Sequence, residues 1–260
     1  MTSRNRLALL AIGLAVLAAG PLMAEDANEA WLLQTNLLER TSKSAAGLPE
    51  VLILGDSISL GYTPAVKAKL AGKANVSRPG CNCGPSQFYL RSMNDWVGTN
   101  HWAVIHVNFG IWDNHYLKGA ADGMGLFWGH ELKDQVFSPV AKGTAIRDLG
   151  FRIRTPIREY ERNLRTILTF LKSRADVVVF GLTTPLKLWE SDDRCGRIRV
   201  YNELAVEVCK ELGVAVDDLY GVAERHLDCQ TDGCHFNAEG YGYLADSVVD
   251  AVLRALSDDD

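Results

Sequence analysis

A serine and a histidine, far apart in the chain, each stand in a setting that suits proton transfer. Ser57 lies in the segment G-D-S-I-S at 55–59, directly after a short apolar run. His235 follows Asp232 by three residues in the segment D-G-C-H. A serine hydroxyl becomes an effective nucleophile when a general base takes its proton, and a carboxylate must orient that base. Ser57, His235 and Asp232 are therefore a candidate triad for attack on a carbonyl carbon.

Each of these two segments also has a structural interpretation that needs no chemistry. Asp56 and Ser57 could do no more than cap a helix, because short polar side chains are preferred at that position. Asp232 and His235 could be surface residues ahead of a helix that Asn237 caps. The two segments together in one chain are more specific than either one alone, and they favour the chemical interpretation.

Short apolar runs alternate along the chain with segments of helical periodicity. These runs predict five β-strands, at 51–54, 74–77, 103–109, 176–181 and 214–216. The helical periodicity predicts six helices, at 27–40, 64–70, 86–96, 156–174, 198–212 and 238–256. From 51 onward the alternation predicts an α/β fold with a mostly parallel five-stranded sheet between layers of helices. Ligands bind such sheets outside the carboxyl ends of the strands, which is where Ser57 should stand.

The G-D-S segment near the N-terminus and the D-x-x-H segment near the C-terminus resemble two blocks of the SGNH, or GDSL-type, hydrolase family. The resemblance covers about 51–256. It implies a flavodoxin-like three-layer α/β/α sandwich and a serine hydrolase that acts on ester bonds. It also implies that Ser57, His235 and Asp232 are catalytic, and that neither a metal nor an organic cofactor is required.

A second block of that family supplies a backbone N–H that holds the oxyanion formed during acyl transfer. The segment N-C-G-P-S at 82–86 is similar to this block, so the resemblance implies that Gly84 is the donor, with Gly80 as the alternative. The N–H of Ser57 itself, at the start of a helix, should be a further donor.

The third block of the family, G-x-N-D, is altered in this chain. The segment G-I-W-D at 110–113 places Trp112 where the family has an asparagine. We expect the amide of Asn108, two residues before Gly110, to replace it, and Asn114 is a further candidate. Because losing one oxyanion donor typically costs about 2.7–4 kcal/mol of transition-state stabilisation, the substitution leaves the rate and the substrate open.

Residues beside these blocks, and a long glycine-rich and aromatic segment at about 115–155, are candidates for substrate recognition. We expect Asp56, Trp112 and Asp113 to contact substrate, and we expect the insertion to shape or cover the cleft. The expected substrate is an O-acetyl ester of a carbohydrate or of the cell wall. Two alternatives stay open: a lipid or lysophospholipid esterase, and a catalytically impaired SGNH-fold module that binds carbohydrate.

The N-terminus has the features of a secretory signal peptide, with arginines before an apolar run from Leu7 to Ala19. We expect cleavage after Ala24, because the apolar run is shorter than the ~20 residues of a spanning helix; an uncleaved anchor is the alternative. Residues 25–48 should then form a helix and connector, and 49–257 one hydrolase domain. The mature protein should be periplasmic or extracellular, with no stable membrane insertion.

Composition and cysteine content limit the partners and the compartment. The formal net charge of −5, with no basic patch, argues against a nucleic-acid partner. Six cysteines suit an oxidising compartment, where disulfides persist. Cys229 and Cys234 are the best local pair, and Cys195 could pair with Cys81 or Cys83. Two alternatives are that Cys209 is a buried apolar residue and that Cys81, Cys83, Cys229 and Cys234 bind zinc, although none of them forms a C-x-x-C pair.

Overall fold

The computed structural model describes residues 38–40, 45–114, 116–118, 151–186 and 193–257. The predicted signal segment at 1–24, the side chain of Cys195 and most of the predicted insertion at 115–155 lie outside the described residues. Among the residues that are described, no helix is both long and apolar enough to span a membrane.

A six-stranded sheet lies at the centre of the molecule, and its carboxyl edge positions the candidate site. Its spatial order is β1-β3-β2-β4-β7-β8, with β1 antiparallel and the other five strands parallel. A separate antiparallel pair, β5 and β6, flanks the part of the insertion that the structure leaves out. In chain order the strands are β1 (Leu38–Arg40), β2 (Glu50–Gly55), β3 (Asn75–Pro79), β4 (Trp102–Asn108), β5 (Tyr116–Lys118), β6 (Phe151–Ile153), β7 (Ala175–Gly181) and β8 (Ala215–Asp217).

Helices cover both faces of this sheet. They are α1 (Ser57–Lys69), α2 (Ser86–Val97), α3 (Ile157–Lys172), α4 (Asp193–Leu212), α5 (Leu219–Arg225) and α6 (Ala238–Ser257). Single 3₁₀ turns occur at Trp112–Asn114 and Leu227–Cys229. The strands alternating with these helices form the predicted three-layer α/β arrangement, and the parallel five-stranded sheet is confirmed.

The apolar runs became strands because they are buried on both faces. Leu52 and Leu54 of β2 pack into the core formed with α2, α3 and α4, whereas Val51 and Ile53 pack into the core formed with α1 and α6. All four side chains are fully buried. Successive residues of a strand point to opposite faces, so a continuous apolar run is what a covered parallel strand requires.

Two local predictions were wrong, and one short helix was not predicted. Leu38–Arg40, predicted as the end of a helix, form an antiparallel edge strand because Leu38 pairs with Pro79 and Arg40 with Ser77 across β3. Helix α1 begins at Ser57, because Asp56 caps it there, and the proline expected in its first turn lies in its interior. The seven-residue helix α5 was missed.

Candidate active site

The turn between β2 and α1 presents Ser57 at the carboxyl edge of the sheet. A side chain at Gly55 would bring its Cβ within 2.6 Å of the Ser59 Cβ and 3.2 Å of the Asn108 carbonyl oxygen, so the turn needs glycine there. The Asp56 carboxylate accepts a hydrogen bond from the Ile58 N–H at 3.0 Å and caps α1. As the first residue of the helix, Ser57 has no carbonyl one turn earlier for its N–H, and that group is left for another acceptor.

A short hairpin between the Leu227–Cys229 turn and α6 carries the aspartate and the histidine. Its two sides are joined by the Thr231 N–H, which donates to the His235 carbonyl at 2.8 Å. Gly233, with φ of 82°, makes the reversal at its tip. One oxygen of Asp232 accepts from the N–H groups of Cys234 at 3.0 Å and His235 at 2.7 Å, which fixes the carboxylate.

The structure brings Ser57, His235 and Asp232 together in one chain of hydrogen bonds. The His235 Nε2 lies 2.8 Å from the Ser57 Oγ. The His235 Nδ1 lies 2.7 Å from the second oxygen of Asp232. If Nδ1 carries the hydrogen that the carboxylate accepts, Nε2 is left to accept a proton from the hydroxyl. The side chains of His235 and Asp232 are 38% and 56% exposed, so the arrangement is open to solvent and to a ligand.

The protonation of Asp232 suits this arrangement. Partial burial opposes ionisation of its carboxyl group, but the hydrogen bonds from the His235 ring and from two backbone N–H groups outweigh burial and lower its pKa. The carboxylate therefore stays ionised at neutral pH, where it can orient the imidazole and stabilise an imidazolium.

Two other aspartates of the predicted site are buried, so the structure gives them a supporting position instead of the predicted contact with substrate. Asp56 and Asp113 are 1% and 0% exposed. Asp113 accepts hydrogen bonds from the Ser86 hydroxyl at 2.5 Å and from the Ser86 N–H at 3.1 Å, and Asn163 donates to the same hydroxyl at 2.9 Å. Burial raises the pKa of each aspartate to about 6.

Three of the groups predicted to hold an oxyanion donate to other partners in this structure. The Asn108 amide nitrogen donates to the carbonyl of Gly181 at 2.9 Å and, more weakly, to that of Leu182 at 3.4 Å. Asn114, the alternative, donates to the Gly110 carbonyl at 2.9 Å. Gly84, with φ of 63°, donates its N–H to the Asn82 side chain at 2.9 Å. The two amides bond buried carbonyls and the Gly84 N–H bonds a nearby side chain, and the sequence pattern could not reveal these partners.

Trp112, at the altered position of the third block, lies half-buried in the 3₁₀ turn beside Asp113. The guanidinium carbon of Arg154, a residue 4% exposed, lies 5.9 Å from the centre of the indole. This separation allows a cation–π contact that holds the ring in place. Contact between Trp112 and a substrate stays a prediction.

Sequence reasoning missed several residues that position the site. Ser86, the first residue of α2, is the last residue of the predicted second block, but no role was predicted for it. Asn163 lies in the middle of a helix, and no sequence signal marked it. Arg78 is also buried, and it donates to the Ser59 hydroxyl and to the Cys81 carbonyl, both at 3.2 Å. It thereby joins the turn after Ser57 to the loop that contains Gly84.

The cysteine predictions are not supported by the part of the chain with described side chains. The disulfide predicted between Cys229 and Cys234 is absent there, and the buried cysteines in that part of the chain form no disulfide: Cys81, Cys83, Cys209, Cys229 and Cys234. Within the same part of the chain, no group of three or more histidine, cysteine or acidic side chains is arranged to hold a metal ion. Cys209 packs in the core, as its apolar alternative proposed.

Comparison with known proteins finds relatives that are described as GDSL esterases or lipases. The chain is 27% identical over 126 residues to the GDSL esterase/lipase CPRD49 of Arabidopsis thaliana, covering 41% of this chain and 48% of that protein. It is 29% identical over 134 residues to the GDSL esterase/lipase WDL1 of Oryza sativa subsp. japonica, covering 44% and 49%. The matches thus span about half the length of these curated relatives.

Solved structures share the fold at low sequence identity. A catalytic mutant of Axe2, an acetylxylan esterase from Geobacillus stearothermophilus, superposes with a TM-score of 0.58 at 16% identity, over 82% of this chain and 96% of that one. The model of the GDSL-like lipase/acylhydrolase family matches residues 53–243, a range that includes both Ser57 and His235. With that match over most of its length, the chain belongs to the GDSL-like lipase/acylhydrolase family.

Proposed function

We propose that this protein is an exported serine esterase in which Ser57 is the nucleophile, His235 the general base and Asp232 the residue that orients the base. The observation that carries the proposal is the unbroken chain of hydrogen bonds, 2.8 Å from serine to imidazole and 2.7 Å from imidazole to carboxylate. Family membership supports the same reaction class.

The geometry suits hydrolysis in two steps. As the Ser57 Oγ attacks the ester carbonyl, its proton passes to the His235 Nε2, and the imidazolium then protonates the leaving alcohol. Water deprotonated by His235 attacks the resulting acyl-enzyme, and the acid leaves as Ser57 regains its proton. Asp232 remains a carboxylate throughout and stabilises the imidazolium.

The oxyanion is the part of the mechanism where this chain departs from the family. The N–H of Ser57 is positioned at the start of α1, where an anion is favoured. The Gly84 N–H becomes a second donor if the Asn82 side chain releases it when substrate binds. Asn108 would have to give up its contacts with Gly181 and Leu182 to take part, so we assign it the smallest share.

The proposed substrate is an O-acetyl ester of a carbohydrate or of the cell wall. Solved structures with this fold include acetylxylan esterases, and Trp112 offers an aromatic surface of the kind on which sugar rings stack. Export to the periplasm or beyond is proposed from the arginines and the apolar run of the first 24 residues. Detection of the mature protein outside the cytoplasm, with its N-terminus at or near residue 25, would test the export.

The central test replaces Ser57 by alanine and measures turnover of p-nitrophenyl acetate. We expect kcat to fall by about 10⁴- to 10⁶-fold, since the attacking atom is removed. Ser173→Ala is the matched control, because that serine is exposed and its hydroxyl bonds only the Phe170 carbonyl among the described contacts. Undiminished turnover in Ser57→Ala would refute the assignment.

The nature of the substrate can be tested in the same assay. A series of p-nitrophenyl esters of increasing acyl length separates an acetyl esterase from a lipid or lysophospholipid esterase, which should prefer medium chains. A fluorophosphonate probe tests the third possibility, an impaired carbohydrate-binding module. We expect the wild type to be labelled at Ser57, and absence of labelling would favour the module.

A further inference from the structure

Tyr241, a half-buried residue in the first turn of α6, lies between the nucleophile helix and the histidine hairpin. Ser57 and Gly61 are four residues apart in α1, so they lie on the same face of that helix. A Cβ added to Gly61 would lie 2.1 Å from the Tyr241 Cζ and 2.2 Å from its Cε1. The hydroxyl end of the ring therefore rests directly on the backbone of α1, one turn from Ser57.

The other side of Tyr241 holds the histidine hairpin. Phe236, the residue that follows His235, contacts the Tyr241 ring. The rings of Phe236 and Tyr241 meet edge to face, with centroids 5.8 Å apart at 66°. Phe236 is buried, so this end of the hairpin is anchored. Burial is the largest influence on the Tyr241 hydroxyl and raises its pKa to about 12, so the hydroxyl is neutral at any physiological pH.

We propose that Tyr241 is a positioning residue that sets the separation between the Ser57 hydroxyl and the His235 ring. The expected effect on catalysis rests on the proposed function, whereas the contacts of Tyr241 do not depend on that function. The ring acts as a spacer that only glycine at position 61 admits, and its contact with the Phe236 ring connects α1 to the segment beside His235. Tyr241 touches neither substrate nor the reacting atoms in this role.

Two substitutions separate the spacer from the hydroxyl. Gly61→Ala pushes the ring away from α1, and because a displacement of about 1 Å can cost about 100-fold, we expect a loss of that order in kcat on p-nitrophenyl acetate with KM little changed. Tyr241→Phe keeps the ring and removes only the hydroxyl, which lies at the end of the ring that contacts α1, and we expect kcat to fall by about 3- to 10-fold. In a Tyr241→Ala background, Gly61→Ala should cost little further, because the ring it displaces is gone.

The same helix offers matched controls. A Cβ at Gly242 would have no neighbour within 4 Å, so Gly242→Ala repeats the glycine change without the clash. Tyr243 is exposed and its hydroxyl lies 3.0 Å from the Glu239 carboxylate, so Tyr243→Phe removes a tyrosine hydrogen bond away from the hairpin. Both controls should keep wild-type kcat.

A readout that does not need turnover keeps this proposal separate from the proposed function. The ¹⁵N chemical shift of the His235 Nε2 reports its hydrogen bond to Ser57, and Ser57→Ala gives the value without that bond. We expect Tyr241→Phe and Gly61→Ala to move the shift toward the Ser57→Ala value, whether or not the protein hydrolyses esters. A shift unchanged in both variants would overturn the positioning role. An inactive wild type whose shift moves as expected would overturn only the esterase.

Discussion

Among the residues that the structure describes, two sets of serine, histidine and aspartate are joined by hydrogen bonds, and they differ in which residue lies in the middle. In the first, the His235 ring lies between the Ser57 hydroxyl at 2.8 Å and the Asp232 carboxylate at 2.7 Å. In the second set, Asp217 lies between the other two residues. It is 3.0 Å from the His106 Nε2 and 2.5 Å from the Ser247 hydroxyl.

The order of the three groups decides what each set can do. A base must touch the hydroxyl whose proton it takes, and in the second set the serine donates to the aspartate and not to the histidine. The exposure differs as well. The side chains of His106 and Asp217 are 0% and 2% exposed, against 38% and 56% for His235 and Asp232. The second set therefore provides hydrogen-bond partners for polar groups that are buried in the core, whereas the first set is accessible to a substrate.

The largest expected effect separates the two sets by activity. His235→Ala removes the base, and we expect kcat/KM on p-nitrophenyl acetate to fall by about 10⁴-fold or more. The free energy of unfolding should change by less than about 1 kcal/mol, because the ring is more than a third exposed. His101→Ala, which removes an exposed histidine paired with Asp176, is the control. Comparable activity in His235→Ala and the control would end the proposed distinction between the sets.

The reverse outcome is expected for the buried histidine. His106→Ala leaves a cavity in the core and deprives the Asp217 carboxylate of a partner at 3.0 Å, so we expect a loss of about 2–5 kcal/mol in the free energy of unfolding. Urea denaturation measures this loss, and kcat per folded molecule should stay within a few-fold of wild type. A large fall in kcat without destabilisation would mean that the buried set takes part in the reaction.

The first set was predictable because two local signals occur together in one chain. Ser57 follows an apolar strand directly, and Asp232 precedes His235 by three residues. Either signal alone has a structural interpretation, but the two together resemble two blocks of one family. The parallel sheet was also predictable from local patterns, since its central strands β2, β4 and β7 are largely apolar. Catalytic roles for the three residues stay a prediction until the variants are assayed.

Contacts between distant segments were not predictable from the sequence. The Asn108 amide bonds carbonyls 73 and 74 residues further along, and Leu38–Arg40 become a strand only through pairing with β3. The spacer role inferred for Tyr241 depends on Gly61, which lies in a different helix. Each of these depends on which partner tertiary folding brings near, and no local pattern records that partner.

Titration of the carboxylates sharpens the contrast between open and buried positions. Burial raises the pKa of Asp113 from 3.8 to about 6, so the folded protein binds that proton more tightly than the unfolded chain does. Its contribution therefore favours the folded state at low pH and declines as pH rises from about 4 to 6, by on the order of 3 kcal/mol. Asp232 has the opposite sign: its lowered pKa gives stability above its unfolded pKa that is lost as pH falls through the folded value.

The measurement is the free energy of unfolding as a function of pH in wild type, Asp113→Asn and Asp232→Asn. Asp56 shares the raised pKa and is unchanged in both variants, so the difference between curves isolates one carboxyl at a time. Relative to wild type, Asp113→Asn should lose less stability between pH 4 and 6. Parallel curves for wild type and Asp113→Asn would show that burial does not control this carboxyl.

The smallest effect is expected at the serine of the buried set. Ser247→Ala removes a hydrogen bond of 2.5 Å to Asp217 but leaves that carboxylate its contact with His106, so we expect a loss of about 1 kcal/mol in the free energy of unfolding. Because Ser247 contacts the aspartate and no base, kcat on p-nitrophenyl acetate should not change. Loss of fluorophosphonate labelling in Ser247→Ala would contradict this, because labelling requires a serine that a base can deprotonate. Ser57→Ala and Ser247→Ala together test whether a nearby histidine and aspartate are enough to make a serine reactive. The geometry predicts that they are not, because the histidine must itself contact the serine hydroxyl.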